Sequence, residues 1–155
     1  MNSGETAPPA GGFRYTVASL GSDSAAVQIQ AGPFTWTLDK PETLGGHGSA
    51  PDPVTAFLGA LCGCLLISLY STARARQVPL VAASAAARAN EKGFIKTIEV
   101  DLTVRSNAPA ETLRTIVERA EKGCYIRGLL KESIAYRLHL VILPDRDVLS
   151  LPAEE

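Results

Sequence analysis

The side chains in this sequence best suited to chemistry are its three thiols. Cys62 and Cys64 lie inside the apolar run DPVTAFLGALCGCLLISLYSTARAR (52–76), and Cys124 follows AEKG directly. Only the thiolate form of cysteine acts as a nucleophile or metal ligand. Successive helical residues turn by about 100°, so Cys62 and Cys64 face roughly opposite sides of a helix and cannot grip one metal ion together. With no Cys-x-x-Cys elsewhere, no metal site is expected. One helix thiol can face the same pocket as Cys124, and sequence separation alone leaves open which. An odd count of cysteines in 155 residues is no secreted disulfide framework; it points to a reducing, cytoplasmic compartment. Of the two histidines, His47 sits among loop glycines, where a solvated or dimer-contact role is expected. His139 alternates with apolar neighbours and reads as a cross-strand polar residue.

The elements that must hold these thiols follow from periodicity. Asp52 reads as a helix N-cap before Pro53 at the first helical position, and no charged residue follows until Arg74. A helix apolar on every face is buried in lipid or in protein. Glycine, serine and threonine dilute the segment and no aromatic belt brackets it, so a core helix is expected rather than a membrane span. It should end near Gln77, because Pro79 disfavours helical geometry in Val78. Before it, FRYTVASL (13–20), AAVQIQA (25–31) and the strictly alternating FTWTL (34–38) form a three-strand meander, with Phe34, Trp36 and Leu38 on one half-buried face. The loop DKPETLGGHGSAP lacks the phosphate-binding GxxxxGK[ST] pattern. After the helix, LVAASAAARANEKG and FIKTIEVDLTVRS read as strands. SNAPAETLRTIVERAEKG then switches to helical period, with Leu113, Ile116, Val117 and Ala120 as its apolar stripe. CYIRGLLKES reads as a loop with a short helical turn, and IAYRLHLVIL (134–143) as the last strand. Residues 1–12 are expected to be a disordered leader, 13–143 one domain, and 144–155 a solvated tail. A net charge of −1 gives no electrostatic case for nucleic acid or a membrane surface.

The run GGHGSAPDPVTAFLGALCGC, the charge-free helix, two strands, a second helix and then AEKGCYI resemble the OsmC/Ohr family of thiol-dependent hydroperoxide reductases. The resemblance implies an α+β fold: antiparallel sheets wrapped around two long central helices in an intertwined homodimer, with pockets at the subunit interface. In that family the reactive cysteine falls about three turns beyond the helix-opening proline, which from Pro53 reaches Cys64. Cys64 is then the peroxide-attacking thiol, Cys124 the resolving one and Cys62 an inert neighbour. The implied substrate is an organic hydroperoxide and the reductant an external dithiol, with no cofactor or metal. Many members place a glutamate after the opening proline and an arginine in the first hairpin to activate the thiolate. Here those positions hold Val54 and the turn GSDS. Arg127, Thr55, His47 and Arg14 are the residues left for substrate binding or activation. Val54 and the missing arginine also suit a second reading, a weakly active or non-enzymatic dimer that binds an apolar ligand or responds to redox state.

Overall fold

The computed structural model describes residues 16–22, 24–90 and 92–145. The expected leader, Arg14 and most of the expected tail lie outside them. The chain is α+β, in the order β1 (Val17–Leu20), β2 (Val27–Ala31), β3 (Phe34–Leu38), α1 (Pro53–Ala75), β4 (Ala82–Ala89), β5 (Thr97–Arg105), α2 (Ala110–Gly123), α3 (Tyr125–Gly128) and β6 (Ala135–Leu143). It divides into two compact units, the first ending at Phe57 and the second beginning at Leu58.

The first unit holds the antiparallel meander β1-β2-β3, with Ile29 opposite Trp36. The alternation of FTWTL fixes a strand, as expected, but its apolar face is not half-buried throughout: Phe34 is 71% and Trp36 44% exposed. The only fully buried side chain among the described residues of this unit is Asp39, so the meander has no apolar core of its own. Asp39 instead organises the glycine loop. Its carboxylate accepts hydrogen bonds from the Ser49 hydroxyl (2.8 Å) and from the backbone N–H groups of Lys40 (2.7 Å), Ser49 (3.1 Å) and His47 (3.2 Å). The Ser49 hydroxyl is the main reason its pKa falls to about 2. Glycine is required at 46, where a Cβ would lie 2.0 Å from the Lys40 carbonyl oxygen.

In the second unit α1, α2 and the sheet β4-β5-β6 share one core. The Asp52 carboxylate caps α1 by accepting the N–H groups of Val54 (2.9 Å) and Thr55 (3.2 Å). Leu61, Leu65, Leu69 and Ala73, one turn apart, form its buried stripe. They join Leu113, Ile116, Val117 and Ala120 of α2 and the inward face of β5, Ile98, Val100, Leu102 and Val104, each at most 1% exposed. Every such aliphatic side chain contributes about 1.5–3 kcal/mol of burial. Among the described residues α1 alone is long and apolar enough to cross a membrane by length and composition. One sheet expectation is corrected. β4 pairs antiparallel to β5, but β6 runs parallel to it, with Tyr136 in register with Ile98. The reason is the intervening α2: a helical crossover returns the chain to the same end of the sheet, which a hairpin cannot do.

Helix α1 ends in a Schellman arrangement. The N–H of Val78 reaches the Ala73 carbonyl (2.9 Å), that of Gln77 reaches Arg74 (3.1 Å), and Gln77 itself takes φ 56°. A side chain in this left-handed geometry is strained by about 1–2 kcal/mol, which glycine avoids. Gln77→Gly should therefore raise unfolding stability by about 1 kcal/mol in urea denaturation; a loss of stability would contradict the assignment.

Asp39 makes a second prediction, in acid. Its folded pKa is depressed, so the stability it supplies is present above its unfolded value of 3.8 and is lost as pH falls toward 2. Urea midpoints of wild type should drop across that window, and those of Asp39→Asn should be lower at neutral pH and drop less.

Candidate active site

Small residues let α1 and α2 approach closely. The Ser68 hydroxyl donates to the Ala120 carbonyl at 2.9 Å, and a Cβ on Gly123 would stand 3.0 Å from that hydroxyl oxygen. Gly123, expected as a stop signal, is thus also a close-approach residue. Cys64 lies one helical turn before Ser68, and Cys124 directly follows Gly123. The crossing consequently brings these two thiols into hydrogen-bond contact. Cys124 is 3% exposed, whereas Cys62 and Cys64 are half-buried. The extended backbone of Cys124 (φ −76°, ψ 105°) ends α2 and starts α3, directing the N–H groups of Arg127 and Ile126 to its sulfur. Burial pushes the Cys124 thiol up. The Arg127 N–H opposes this, and the hydrogen bond and charge of Cys64 push it higher again. The balance leaves the Cys124 thiol above its ordinary pKa. Burial also raises the Cys62 thiol.

Three further groups surround Cys124. Arg127 Nε lies 3.6 Å from Glu121 Oε1, and its guanidinium carbon sits 4.9 Å from the centre of the Tyr136 ring, a cation–π distance. The Glu121 contact is a charge contact beyond hydrogen-bond length, and both Arg127 Nε and the Tyr136 hydroxyl are buried without a hydrogen-bond partner. Burial lifts the Glu121 carboxyl; Arg127 opposes that and Glu118 adds to it. Tyr136 is pushed up to about 12, first by burial and then by Glu121, with Arg127 opposing and Cys124 and Cys62 adding. Arg127, expected from its place after Cys124, is therefore beside that thiol. Glu121 and Tyr136 were not foreseen. The available signal for Tyr136 was its hydroxyl among the inward residues Tyr136, Leu138, Leu140 and Ile142 of β6.

Thr55 belongs to the first unit, where its hydroxyl is 2.5 Å from Asp52 Oδ2 and completes the helix cap. His47, in the same unit, is exposed and tied to Asp39 through its backbone N–H. Arg14 lies outside the described residues. His139 is exposed and in register with Asp101, on the outer face where Arg88 and Arg137 pair with Glu99. Among the described residues no group of three or more His, Cys, Asp or Glu is placed to hold a metal ion. What the arrangement offers is two-electron sulfur chemistry: two thiols in contact, backbone donors on one, and a carboxylate–guanidinium pair and a phenol beside them.

Comparisons with known proteins agree with this architecture. The chain superimposes on an OsmC-like protein from Mycoplasma pneumoniae with a TM-score of 0.72 at 16% identity, covering 86% of this chain and 97% of the other. It also matches an organic hydroperoxide resistance protein OsmC from Legionella pneumophila, with a TM-score of 0.62 at 19% identity and coverage of 83% and 96%. A third match is an organic hydroperoxide resistance protein from Elizabethkingia anophelis with crystallant-derived thiocyanate bound, with a TM-score of 0.66 at 16% identity and coverage of 84% and 96%. No match is found among curated proteins. The sequence profile of the OsmC-like protein family matches residues 46–139, from the glycine loop through α1, α2 and all three thiols into the last strand, and the chain accordingly belongs to the OsmC-like family.

Proposed function

We propose that this chain is a thiol peroxidase that reduces organic hydroperoxides, with Cys64 as the attacking thiol and Cys124 as the resolving one. The observation that carries the reading is the hydrogen-bond contact between the two thiols. Cys64 thiolate attacks the distal oxygen of the hydroperoxide. The O–O bond breaks, sulfur loses two electrons to become a sulfenic acid, and the departing alkoxide takes up a proton as the alcohol. Cys124 then condenses with the sulfenic acid, releasing water and forming a disulfide, which an external dithiol reduces by exchange. Arg127 supplies the positive charge that the missing hairpin arginine does not, close to Cys124 and in ion contact with Glu121. Aliphatic side chains around α1 and β5 favour an organic over an inorganic peroxide.

The working unit in this reading is a cytoplasmic homodimer. Phe34, Trp36 and Val54 of the first unit, and Ile67 and Tyr70 of the second, are each at least 44% exposed on a single chain. Apolar surface on this scale is usual at subunit interfaces. A second copy covers it without lipid or nucleic acid. The alternative, a weakly active or non-enzymatic dimer that binds an apolar ligand or responds to redox state, is favoured by Val54, which stands after the opening proline and is 45% exposed.

Reduced protein treated with an organic hydroperoxide should yield a Cys64–Cys124 disulfide in peptide mass spectrometry. Cys64→Ser should abolish turnover, and Cys124→Ser should stop at a sulfenic acid that dimedone traps on Cys64. Three unmodified thiols after treatment would leave the alternative standing. Arg127→Ala should slow the first step by about 10²-fold, the size seen when a preorganised charge donor is removed. Light scattering on the eluting protein should give twice the 16.4 kDa chain mass.

A further inference from the structure

The peroxidase reading leaves one requirement without a residue: the proton that the departing alkoxide needs. We propose that Tyr136 supplies it, its hydroxyl hydrogen-bonding the leaving oxygen of the bound hydroperoxide and transferring its proton as the O–O bond breaks. This rests on the peroxidase reading and assigns the acid within it. The hydroxyl is fully buried and has no hydrogen-bond partner, although buried phenols usually find one. Arg127 Nε, whose guanidinium lies over the Tyr136 ring, is the other buried side-chain atom left without one among the described residues. Two idle donors, one on the ring and one on the guanidinium that lies over it, are what a ligand with lone pairs and no acidic hydrogen to spare would fill, and the inner oxygen of a hydroperoxide is such a group.

The surroundings fit the role. The Arg127 guanidinium, in ion contact with Glu121, lies over the Tyr136 ring, and the backbone N–H of the same Arg127 meets the Cys124 sulfur, which is in turn in contact with Cys64. The raised pKa of Tyr136 keeps it protonated at neutral pH, yet it remains far more acidic than an alcohol, so transfer to an alkoxide runs downhill. The step balances. Cys64 thiolate gains the hydroxyl oxygen and becomes sulfenic acid, the O–O electron pair leaves on the alkoxide, Tyr136 protonates it, and the tyrosinate recovers a proton from solvent.

The test compares two reagents that differ in one need. Iodoacetamide alkylates a thiolate and expels iodide, which takes no proton, whereas a hydroperoxide expels an alkoxide, which does. In Tyr136→Phe the ring and its contact with Arg127 stay. Oxidation of Cys64 by an organic hydroperoxide should slow by about 10²-fold, typical of a lost general acid, while alkylation of Cys64 proceeds at the wild-type rate. The melting temperature should equal or exceed that of wild type, because an unpaired buried hydroxyl is removed. Oxidation of the variant at the wild-type rate overturns the proposal, as does an equal slowing of alkylation, which would make the hydroxyl structural. Absence of any hydroperoxide reaction in wild type would be a different failure, removing the peroxidase reading and this role with it.

Discussion

Everything at the thiol site depends on how closely two helices can approach. Ser68, Ala120 and Gly123 are the residues that permit it, two of them by being small and Ser68 by satisfying a carbonyl that α2 leaves open at its end. The last carbonyls of a helix have no intrahelical donor. That of Ala120 is one of them, because the N–H of Cys124 turns instead to Glu121 at 3.2 Å. The single bond from Ser68 thus pins the C-terminus of α2 against the middle of α1. Cys64 and Cys124 then meet as a consequence of position, one turn before the serine and one residue after the glycine.

A buried thiol pair is poorly reactive unless the fold returns the stabilisation that water would give its charged form. Helix α1 cannot do so, being free of charged side chains through the thiol region. The compensation lies on the other side of the contact, in the sharp change from α2 to α3. There the chain turns at Cys124, presents two backbone N–H groups to its sulfur, and places Arg127 between Glu121 and Tyr136. A guanidinium thus stands in contact with a carboxylate and a phenol ring, all within the stretch of fold that carries the second thiol.

How legible this was depended on whether a feature is local. The start of α1 could be read from Asp52 and Pro53, and the alternation in TIEVDLTVR gave the inward face of β5 residue by residue. Strand β4 was harder, since alanine prefers helix, and only Pro79, Gly93 and the need for a partner beside β5 decided it. Choosing Cys64 over Cys62 needed a family resemblance, because spacing on a helix separates two faces without saying which looks inward. Two features depend on pairing between distant segments. The parallel direction of β6 is set by the crossover through α2, and the place of Tyr136 by that same register, a pairing across 38 residues. The meander was legible as strands but not in burial, because a face that looks apolar in sequence is covered only by whatever packs on it.

The two idle donors bear on how such a site persists. A buried polar group left unpaired costs about 1–3 kcal/mol, against a total stability of about 5–15 kcal/mol for a domain. Phenylalanine at 136 would keep the ring, the packing against the core and the cation–π contact while removing that cost. A fold under pressure for stability alone has an easy way out at this position, open through a change of one atom. Retaining the hydroxyl where it weakens the resting protein is understandable if its partner arrives only with the substrate, and the same holds for Arg127 Nε, turned to Glu121 too far away for a hydrogen bond. The destabilised corner and the reactive corner of this fold are then the same place.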